Sequence, residues 1–236
     1  IEVLFKNKQK IILYPSNLKI IKDKEFNFKN KFKIGDVLVL EFDEINNNFN
    51  LSQIPKVNGG MVVMENRTGR VLAMVGGYDS SSSFNRSTQA KRQLGSSFKP
   101  IVYLTALENG YTPISKVLDA PFVVDDYSDK GVWRPTNYGD KFYGLSTLRL
   151  GIEKSRNLMT VRLSDQLGLD KISKVSLKLD LYEKFPNLIS SSLGSLESTL
   201  QKITAAYATI ANGGYKVEPN LIAVSYTHLR AHETAM

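Results

Sequence analysis

Short apolar runs dominate the first 55 residues, where they alternate with turns rich in Asn, Lys, Gly and Asp. Runs of this length, bounded by turn residues, predict a small antiparallel β module at residues 1–55. Asn46-Asn47-Asn48 and Pro55 mark the predicted exit from it. The runs are Ile11-Ile12-Leu13-Tyr14, Phe26-Asn27-Phe28-Lys29 and Val37-Leu38-Val39-Leu40-Glu41-Phe42.

A second pattern begins at Gly59-Gly60, where two apolar runs flank a polar turn. Met61-Val62-Val63-Met64 and Arg70-Val71-Leu72-Ala73-Met74-Val75 predict a β-hairpin, with Gly69 supplying a positive φ at the turn. Both arms are apolar throughout, so we expect both faces of this sheet to be covered by helices. Further along, Phe122-Val123-Val124 is a candidate strand, and Trp133 is expected in a loop.

Helical patterns fill much of the rest. The run Ile101 to Leu107 follows Pro100 and ends at Asn109-Gly110, which predicts a helix with proline in its first turn and glycine after its end. Three more helical stretches are expected: from Thr147 to Gly168 with a break near Ser155, from Asp170 to about Leu181, and from about Ser198 to Asn212. A sheet region followed by a helical region predicts an α+β fold.

Composition is that of an ordinary globular protein, with 236 residues, 42% of them hydrophobic and 23% charged. The net charge of +8 comes from scattered lysines, which favours solvated surface over nucleic-acid binding. One alternative stays open, a non-enzymatic basic module at residues 1–55 that binds nucleic acid or a protein partner. The chain lacks cysteine, which excludes disulfides, thiolate metal sites and cysteine nucleophiles.

Histidine is the most informative residue type, because the only two, His228 and His232, lie in the last nine residues. A Ser-His-Asp triad or a histidine-rich zinc site in the body of the chain is therefore excluded. Residues 224–236 show no periodicity and are expected to be a non-native tail. A serine nucleophile in this chain needs another base, and lysine is the obvious one.

Ser96 and Lys99 are the candidate nucleophile and base. If a helix begins near Ser96, the two side chains lie one turn apart on the same face. Burial would favour the neutral amine of Lys99, which could then take the Ser96 proton, and the Ser96 N–H is a natural oxyanion donor. Ser-x-x-Lys alone is a weak signal, since it recurs at Ser16 and Lys19, where an extended strand would separate the side chains. The alternative for Ser96 is a helix N-cap with Lys99 in solvent.

Ser155 and Asn157 are the candidate second pair. Ser155 lies between two helical stretches, where a break could lower its hydroxyl and the Asn157 amide into a cleft. Ser-x-Asn is also weak, because Ser83-Phe84-Asn85 matches it too, and a simple helix cap at the break remains the alternative.

An ordered set of motifs resembles the bifunctional class A penicillin-binding proteins of the 1A type, from about Pro55 to Ile222. Arg92-Gln93-Leu94-Gly95-Ser96-Ser97-Phe98-Lys99-Pro100 is similar to the first catalytic motif of these transpeptidases, and Glu153-Lys154-Ser155-Arg156-Asn157 to the second. Further matches follow the family's order. These are Asn58-Gly59-Gly60, Trp133-Arg134-Pro135-Thr136-Asn137-Tyr138, Ser192-Leu193-Gly194-Ser195 and Ala211-Asn212-Gly213-Gly214.

The resemblance implies a serine penicillin-recognising transpeptidase fold at 56–223, an antiparallel sheet with a helical subdomain, preceded by an OB-like module at 1–55. It implies that Ser96 is acylated, Lys99 is its base, Ser155 shuttles the proton and Asn157 holds the substrate amide. The expected substrates are D-Ala-D-Ala stem peptides of peptidoglycan, with β-lactams as inhibitors and no cofactor, metal or nucleic acid.

The resemblance also implies a full-length parent protein anchored in the inner membrane and acting in the periplasm, with cell-wall synthesis partners possible through the OB-like module.

Two departures from the family pattern matter. Leu94 replaces the usual proline, and a Lys-Thr-Gly or Lys-Ser-Gly motif is absent, since Arg67-Thr68-Gly69 precedes the nucleophile. Because the chain begins with Ile1 rather than Met, we expect a fragment, and because the third motif is absent, we expect that fragment to be poorly active or inactive. A β-lactam-recognising hydrolase or sensor is the enzymatic alternative.

Overall fold

The computed structural model describes residues 1–18, 32–78, 82–125 and 132–222. The chain divides into two compact units, Ile1–Asn58 and Gly59–Met236. The predicted tail at 224–236 lies outside the described residues. The domain limits expected at residues 55 and 223 remain predictions.

The described residues of the first unit, 1–18 and 32–58, include two antiparallel hairpins. Strands β1 (Glu2–Leu4) and β2 (Lys10–Ile12) pair with Val3 opposite Ile11, and β3 (Val39–Asp43) and β4 (Asn48–Ser52) pair with Phe42 opposite Phe49. The ring of Phe49 lies 5.0 Å from Phe42 and 5.2 Å from Phe5, which links the two hairpins through aromatic contacts. The predicted antiparallel β structure is confirmed here, whereas the run Phe26-Asn27-Phe28-Lys29 lies outside the described residues.

Ser16 does not lie on an extended strand, so that prediction was wrong. It is in a short 3-10 helix, Pro15–Asn17, which begins at a proline whose fixed φ suits a helical turn. The side-chain oxygen of Asn17 accepts the Tyr14 N–H at 2.8 Å and stabilises the turn. Lys19, the other half of this second Ser-x-x-Lys pattern, is outside the described residues.

The second unit begins with the predicted hairpin, β5 (Met61–Met64) and β6 (Val71–Val75), and Gly69 has φ +75° at its turn. The helix Leu200–Ala211 packs against β5. Met61 and Leu72 nevertheless remain 55% and 52% exposed. The expectation that both faces are covered was therefore wrong, because successive side chains of a strand point to opposite faces and a helix on one face leaves the other open.

The four predicted helical stretches are present, and the one with a predicted break near Ser155 consists of two helices, which makes five in the described residues. They are α1 (Lys99–Glu108), α2 (Leu148–Glu153), α3 (Asn157–Leu167), α4 (Leu169–Lys178) and α5 (Leu200–Ala211). Helix α1 is central, since it packs against α3 and α4 and its Ile101, Val102 and Ala106 are fully buried, as is Phe98 just before it. Pro100 is in its first turn, and Gly110, with φ +88°, follows its end as predicted.

Short antiparallel pairs complete the second unit. Strand β7 (Arg92–Gln93) pairs with β12 (Glu197–Ser198), β8 (Lys116–Asp119) with β11 (Gly144–Thr147), and β9 (Val124–Asp125) with β10 (Val132–Trp133). Trp133 was expected in a loop, but it lies in β10 and pairs with Val124 of β9. The pairing joins two separate segments, and the local sequence around Trp133 did not reveal it. None of the helices in the described ranges is long and apolar enough to cross a bilayer.

Candidate active site

The turn that carries Ser96 connects a β-strand to the central helix. Gly95 has φ +53°, a conformation that a residue without Cβ adopts at little cost, and it opens a 3-10 helix, Gly95–Phe98, that continues directly into α1. The Lys99 N–H donates to the Ser96 carbonyl. Since side chains three residues apart are eclipsed in a 3-10 helix, Ser96 and Lys99 share one face, as the sequence predicted. Ser96 itself is exposed.

A close backbone contact with the segment around Gly194 also stabilises this turn. The Gly95 N–H donates to the Gly194 carbonyl at 2.9 Å, and the Leu94 N–H donates to the Leu196 carbonyl at 3.3 Å. Gly194 has φ +78°, and a Cβ placed on it would lie 2.1 Å from the Gly95 carbonyl oxygen. The segment Ser192-Leu193-Gly194-Ser195 thus has a physical role, since only glycine allows its backbone to lie against the turn before Ser96.

Lys99 is buried, with 1% of its surface exposed. Its Nζ donates to the Ser155 carbonyl at 2.6 Å, to Asn157 Oδ1 at 2.6 Å and to Ser155 Oγ at 3.0 Å. Burial disfavours the charged amine and lowers the pKa of Lys99 to about 8. The alternative of a solvent-exposed Lys99 is therefore wrong.

Ser155 occupies the break between α2 and α3, as predicted. It has φ +51°, and the Arg156 N–H donates to the Gly151 carbonyl at 2.9 Å, which closes the end of α2. A non-glycine residue with positive φ is uncommon, and such conformations persist where the surrounding structure holds them. This backbone turns both the carbonyl and the hydroxyl of Ser155 toward Lys99.

The side-chain amide of Asn157 has one orientation that satisfies all of its partners. Its Nδ2 donates to the Thr136 carbonyl at 2.8 Å, and a carbonyl can only accept. Its Oδ1 consequently faces the Lys99 amine, which donates to it. The hydrogen bonds of Asn157 therefore place its amide oxygen, which can only accept, next to the Lys99 amine.

Two further buried residues support this cluster, and sequence reasoning gave neither a role. Asn137 Oδ1 accepts the Asn157 N–H at 2.8 Å and the Leu158 N–H at 3.2 Å, while its Nδ2 donates to Asp119 Oδ1 at 2.6 Å. Asn137 lies in one of the resemblance motifs, which was the signal available for it. Asp119, which is fully buried, had no signal because its partner is 18 residues away.

The second Ser-x-Asn pattern is a local turn. Asn85 Oδ1 accepts the Ser87 N–H at 2.9 Å, and Asn85 Nδ2 contacts the Met74 sulfur at 3.3 Å. These contacts fix the loop after β6 and leave Asn85 without a contact to Lys99. In the parts of the chain that the structure describes, no cluster of three or more His, Asp or Glu could hold a metal ion.

Known proteins similar to this chain share its fold. Residues 59–235 match the family described as penicillin binding protein transpeptidase domain, a match that includes most of the tail whose non-native origin stays a prediction. The chain is 48% identical over 195 residues to penicillin-binding protein 1A of Rickettsia conorii, covering 82% of this chain and 24% of that protein. It thus spans about a quarter of the relative's length.

Two solved structures are also similar. The crystal structure of penicillin-binding protein 1A from Haemophilus influenzae matches 93% of this chain and 32% of its own, with 29% identity and a TM-score of 0.79. The PonA1 protein from Mycobacterium tuberculosis, in complex with penicillin V, matches 69% of this chain and 45% of its own, with 23% identity and a TM-score of 0.61. The second likeness concerns the fold alone. Together they confirm the predicted resemblance and the α+β transpeptidase fold.

Proposed function

The chain belongs to the penicillin-binding protein transpeptidase family, and we propose that it carries the serine D,D-transpeptidase site of an enzyme that cross-links peptidoglycan. One observation carries the proposal. Lys99 is buried one turn after Ser96 and is held by Ser155 and Asn157, 56 and 58 residues further along the chain. A buried amine that contacts one serine hydroxyl and lies one helical turn after an exposed serine is suited to nucleophilic acyl transfer without histidine.

As an ammonium, Lys99 donates to the Ser155 carbonyl, Ser155 Oγ and Asn157 Oδ1, and its neutral form can still make the two contacts that require a donor. A neutral amine has two N–H donors and one lone pair, and two of its neighbours, the Ser155 carbonyl and Asn157 Oδ1, can only accept. Both N–H groups are therefore used, and the lone pair is left for a hydroxyl. We propose that this lone pair takes the Ser96 proton as Ser96 Oγ attacks the carbonyl carbon of the D-Ala–D-Ala bond.

The proton then reaches the leaving group through Ser155. Lys99, now an ammonium, donates to Ser155 Oγ, and Ser155 passes its own proton to the departing D-Ala nitrogen as the C–N bond breaks. An ester between Ser96 and the penultimate D-Ala remains. An acceptor amine attacks this ester, its proton returns through Ser155 and Lys99 to Ser96 Oγ, and the new amide is the cross-link. The Ser96 N–H, at the start of the helical turn, is the proposed oxyanion donor.

β-Lactams are proposed to acylate the same serine, and Asn157 is proposed to orient the substrate amide. Penicillin V in the PonA1 complex supports β-lactam recognition by this fold. The OB-like nature of residues 1–55, possible cell-wall synthesis partners through it, and periplasmic action of a membrane-anchored parent are further proposals. They rest on the similarity to penicillin-binding proteins 1A, of which this chain spans about a quarter.

Labelling with a fluorescent penicillin tests the function. We expect a covalent adduct on the Ser96 peptide, weak for residues 1–236, which contain no Lys-Thr-Gly or Lys-Ser-Gly, and strong for a longer protein that contains this chain together with such a motif. Strong Ser96-dependent labelling of this chain would refute only the expected weak activity. Failure of the longer protein to label at Ser96 would refute the enzyme proposal. Rapid release of hydrolysed penicillin would instead favour the hydrolase alternative.

A further inference from the structure

We propose that Asp119 and Asn137 form a positioning pair that keeps Ser155 and Asn157 in contact with Lys99. Among the described residues, neither side chain has a hydrogen bond or ion pair with Ser96. The pair acts on the backbone at the start of α3, immediately after Ser155. The inference rests on the proposed function, because that function makes Ser155 and Asn157 part of a catalytic site. Its test measures amide exchange and the ionisation of Lys99, and neither measurement requires acylation.

Asn137 acts as the N-terminal cap of α3, although it lies 20 residues before the helix begins. The residue at the usual capping position, Arg156, makes no side-chain capping bond. Asn137 Oδ1 instead accepts the N–H groups of Asn157 and Leu158, two donors that have no acceptor within the helix. The position of Asn157 is thereby set by a side chain from another part of the chain.

The orientation of Asn137 is fixed by Asp119. Asn137 Nδ2 donates to Asp119 Oδ1 at 2.6 Å and to the Lys141 carbonyl at 2.9 Å, and both partners can only accept. The amide therefore cannot turn over without losing four favourable contacts. Asn137 is 5% exposed and Asp119 is fully buried, so water cannot readily replace these partners.

Asp119 also interacts with Arg156, the residue between Ser155 and the start of α3. Its Oδ2, which has no hydrogen bond among the described residues, lies 3.9 Å from Arg156 Nε. The Arg156 guanidinium is held over the ring of Tyr143 at 3.2 Å from the ring centroid. Asp119 thus restrains Arg156 by charge and, through Asn137, the two N–H groups that follow it. Ser155, in its strained conformation, is the residue directly before this double anchor.

The test measures amide exchange and the ionisation of Lys99 by NMR in the whole chain. In Asn137→Ala, the amides of Asn157 and Leu158 should exchange at least about tenfold faster, while that of Leu163, in the middle of α3, should follow only the global stability. The titration midpoint of the Lys99 Cε resonance should rise toward the ordinary lysine value, because a loosened Asn157 admits water to the amine.

Two comparisons separate positioning from simple destabilisation. Asp119→Asn keeps an oxygen for Asn137 Nδ2 and should preserve the protection of both amides, whereas Asp119→Ala should lose it. Asn109→Ala removes a comparable side-chain bond, to the Thr105 carbonyl at the far end of α1, and should leave the Lys99 midpoint unchanged. If Asn137→Ala does not fold, Asn137→Ser keeps a polar group at the buried position but is too short to reach both partners.

Equal acceleration of the Asn157, Leu158 and Leu163 amides, with an unchanged Lys99 midpoint, would overturn the proposal. That result would leave the proposed acyl transfer intact. Conversely, a chain in which Asn137→Ala shifts both readouts but Ser96 is never acylated would retain the positioning pair and refute the proposed function.

Discussion

Lys99 Nζ lies 2.6 Å from Asn157 Oδ1, although the two residues are 58 positions apart in the chain. The contact joins the first turn of the central helix α1 to the first turn of α3. Since the helical face that carries Lys99 also carries Ser96, the nucleophile is coupled to the second motif through this one amine.

Ser96→Ala should abolish covalent labelling by a fluorescent penicillin, because no other described serine hydroxyl combines exposure with a place one helical turn before the buried amine. Ser97→Ala is the matched control. Ser97 is also exposed, but its hydroxyl is bonded to the Leu94 carbonyl, so its removal should retain labelling. Intact-protein mass spectrometry of the longer protein gives the readout, and an adduct that persists in Ser96→Ala would contradict the assignment of the nucleophile.

The rate of penicillin acylation should rise with pH and level off above about pH 8, since the neutral Lys99 amine is the active form and burial lowers its pKa to about 8. Well below that pH, the rate should fall about tenfold per pH unit, in proportion to the neutral fraction. Stopped-flow acylation kinetics between pH 6 and 10 would measure the profile. A flat profile would show that Lys99 is not the base.

The free energy of unfolding should also rise with pH from about 8 to 9.5. In this window the unfolded chain still binds the lysine proton while folded Lys99 has released it, so raising pH favours the folded state. The expected gain is about 2 kcal/mol from this group alone, by the relation between pKa and free energy. Urea unfolding at two pH values measures it. Lys99→Met is the control, and a rise of equal size in that variant would assign the effect to other groups.

Gly194→Ala should destabilise the second unit by roughly 3 kcal/mol or more, because its new Cβ would meet the Gly95 carbonyl oxygen at 2.1 Å and must displace the Ser96 turn. Gly213→Ala separates this clash from backbone strain. Gly213 has a similar φ of +86° but open space around its Cβ position, so that variant should lose only about 1 kcal/mol. Thermal unfolding of both variants tests the difference, and equal losses would exclude the close contact as the cause.

Asn157→Ala should slow acylation by about 10- to 100-fold, because it removes both the acceptor that orients Lys99 and the proposed contact with substrate. Asn85→Ala provides the comparison, since Asn85 occupies the same place in the other Ser-x-Asn pattern but its side chain contacts Ser87 and Met74 rather than Lys99. Acylation rates corrected for the folded fraction would distinguish them. A similar loss in both variants would mean that the Asn157 effect is one of stability.

Asn137→Ala should lower the free energy of unfolding by about 2 to 4 kcal/mol. The change removes a helix cap and leaves the buried Asp119 carboxylate without its hydrogen-bond donor. Chemical denaturation gives the value, with Asn109→Ala expected to cost less because Asn109 is exposed. A loss below that of Asn109→Ala would show that α3 does not depend on this cap.

Local pattern was enough for some of the architecture. The helix after Ser96, the hairpin around Gly69 and the break at Ser155 each depend on interactions within a few residues: proline in a first turn, glycine at a positive φ, and apolar spacing along one helix. The same kind of argument failed for the faces of the hairpin, for Ser16 and for Trp133. In those cases an apolar or polar run is compatible with several environments, and the choice depends on what packs against it.

The sequence by itself determined which residues could do acyl-transfer chemistry. It excluded histidine as the base and cysteine as the nucleophile, and it predicted Ser96 and Lys99 on one helical face. The order of its motifs was enough to recognise the family. Only the tertiary structure decided that Lys99 is buried, that Asn157 rather than Asn85 is beside it, and that Asp119 and Asn137 hold that arrangement. The reason is physical: a helical pair depends on neighbours three residues apart, whereas the burial and hydrogen bonds of one amine depend on side chains contributed from more than 50 residues away.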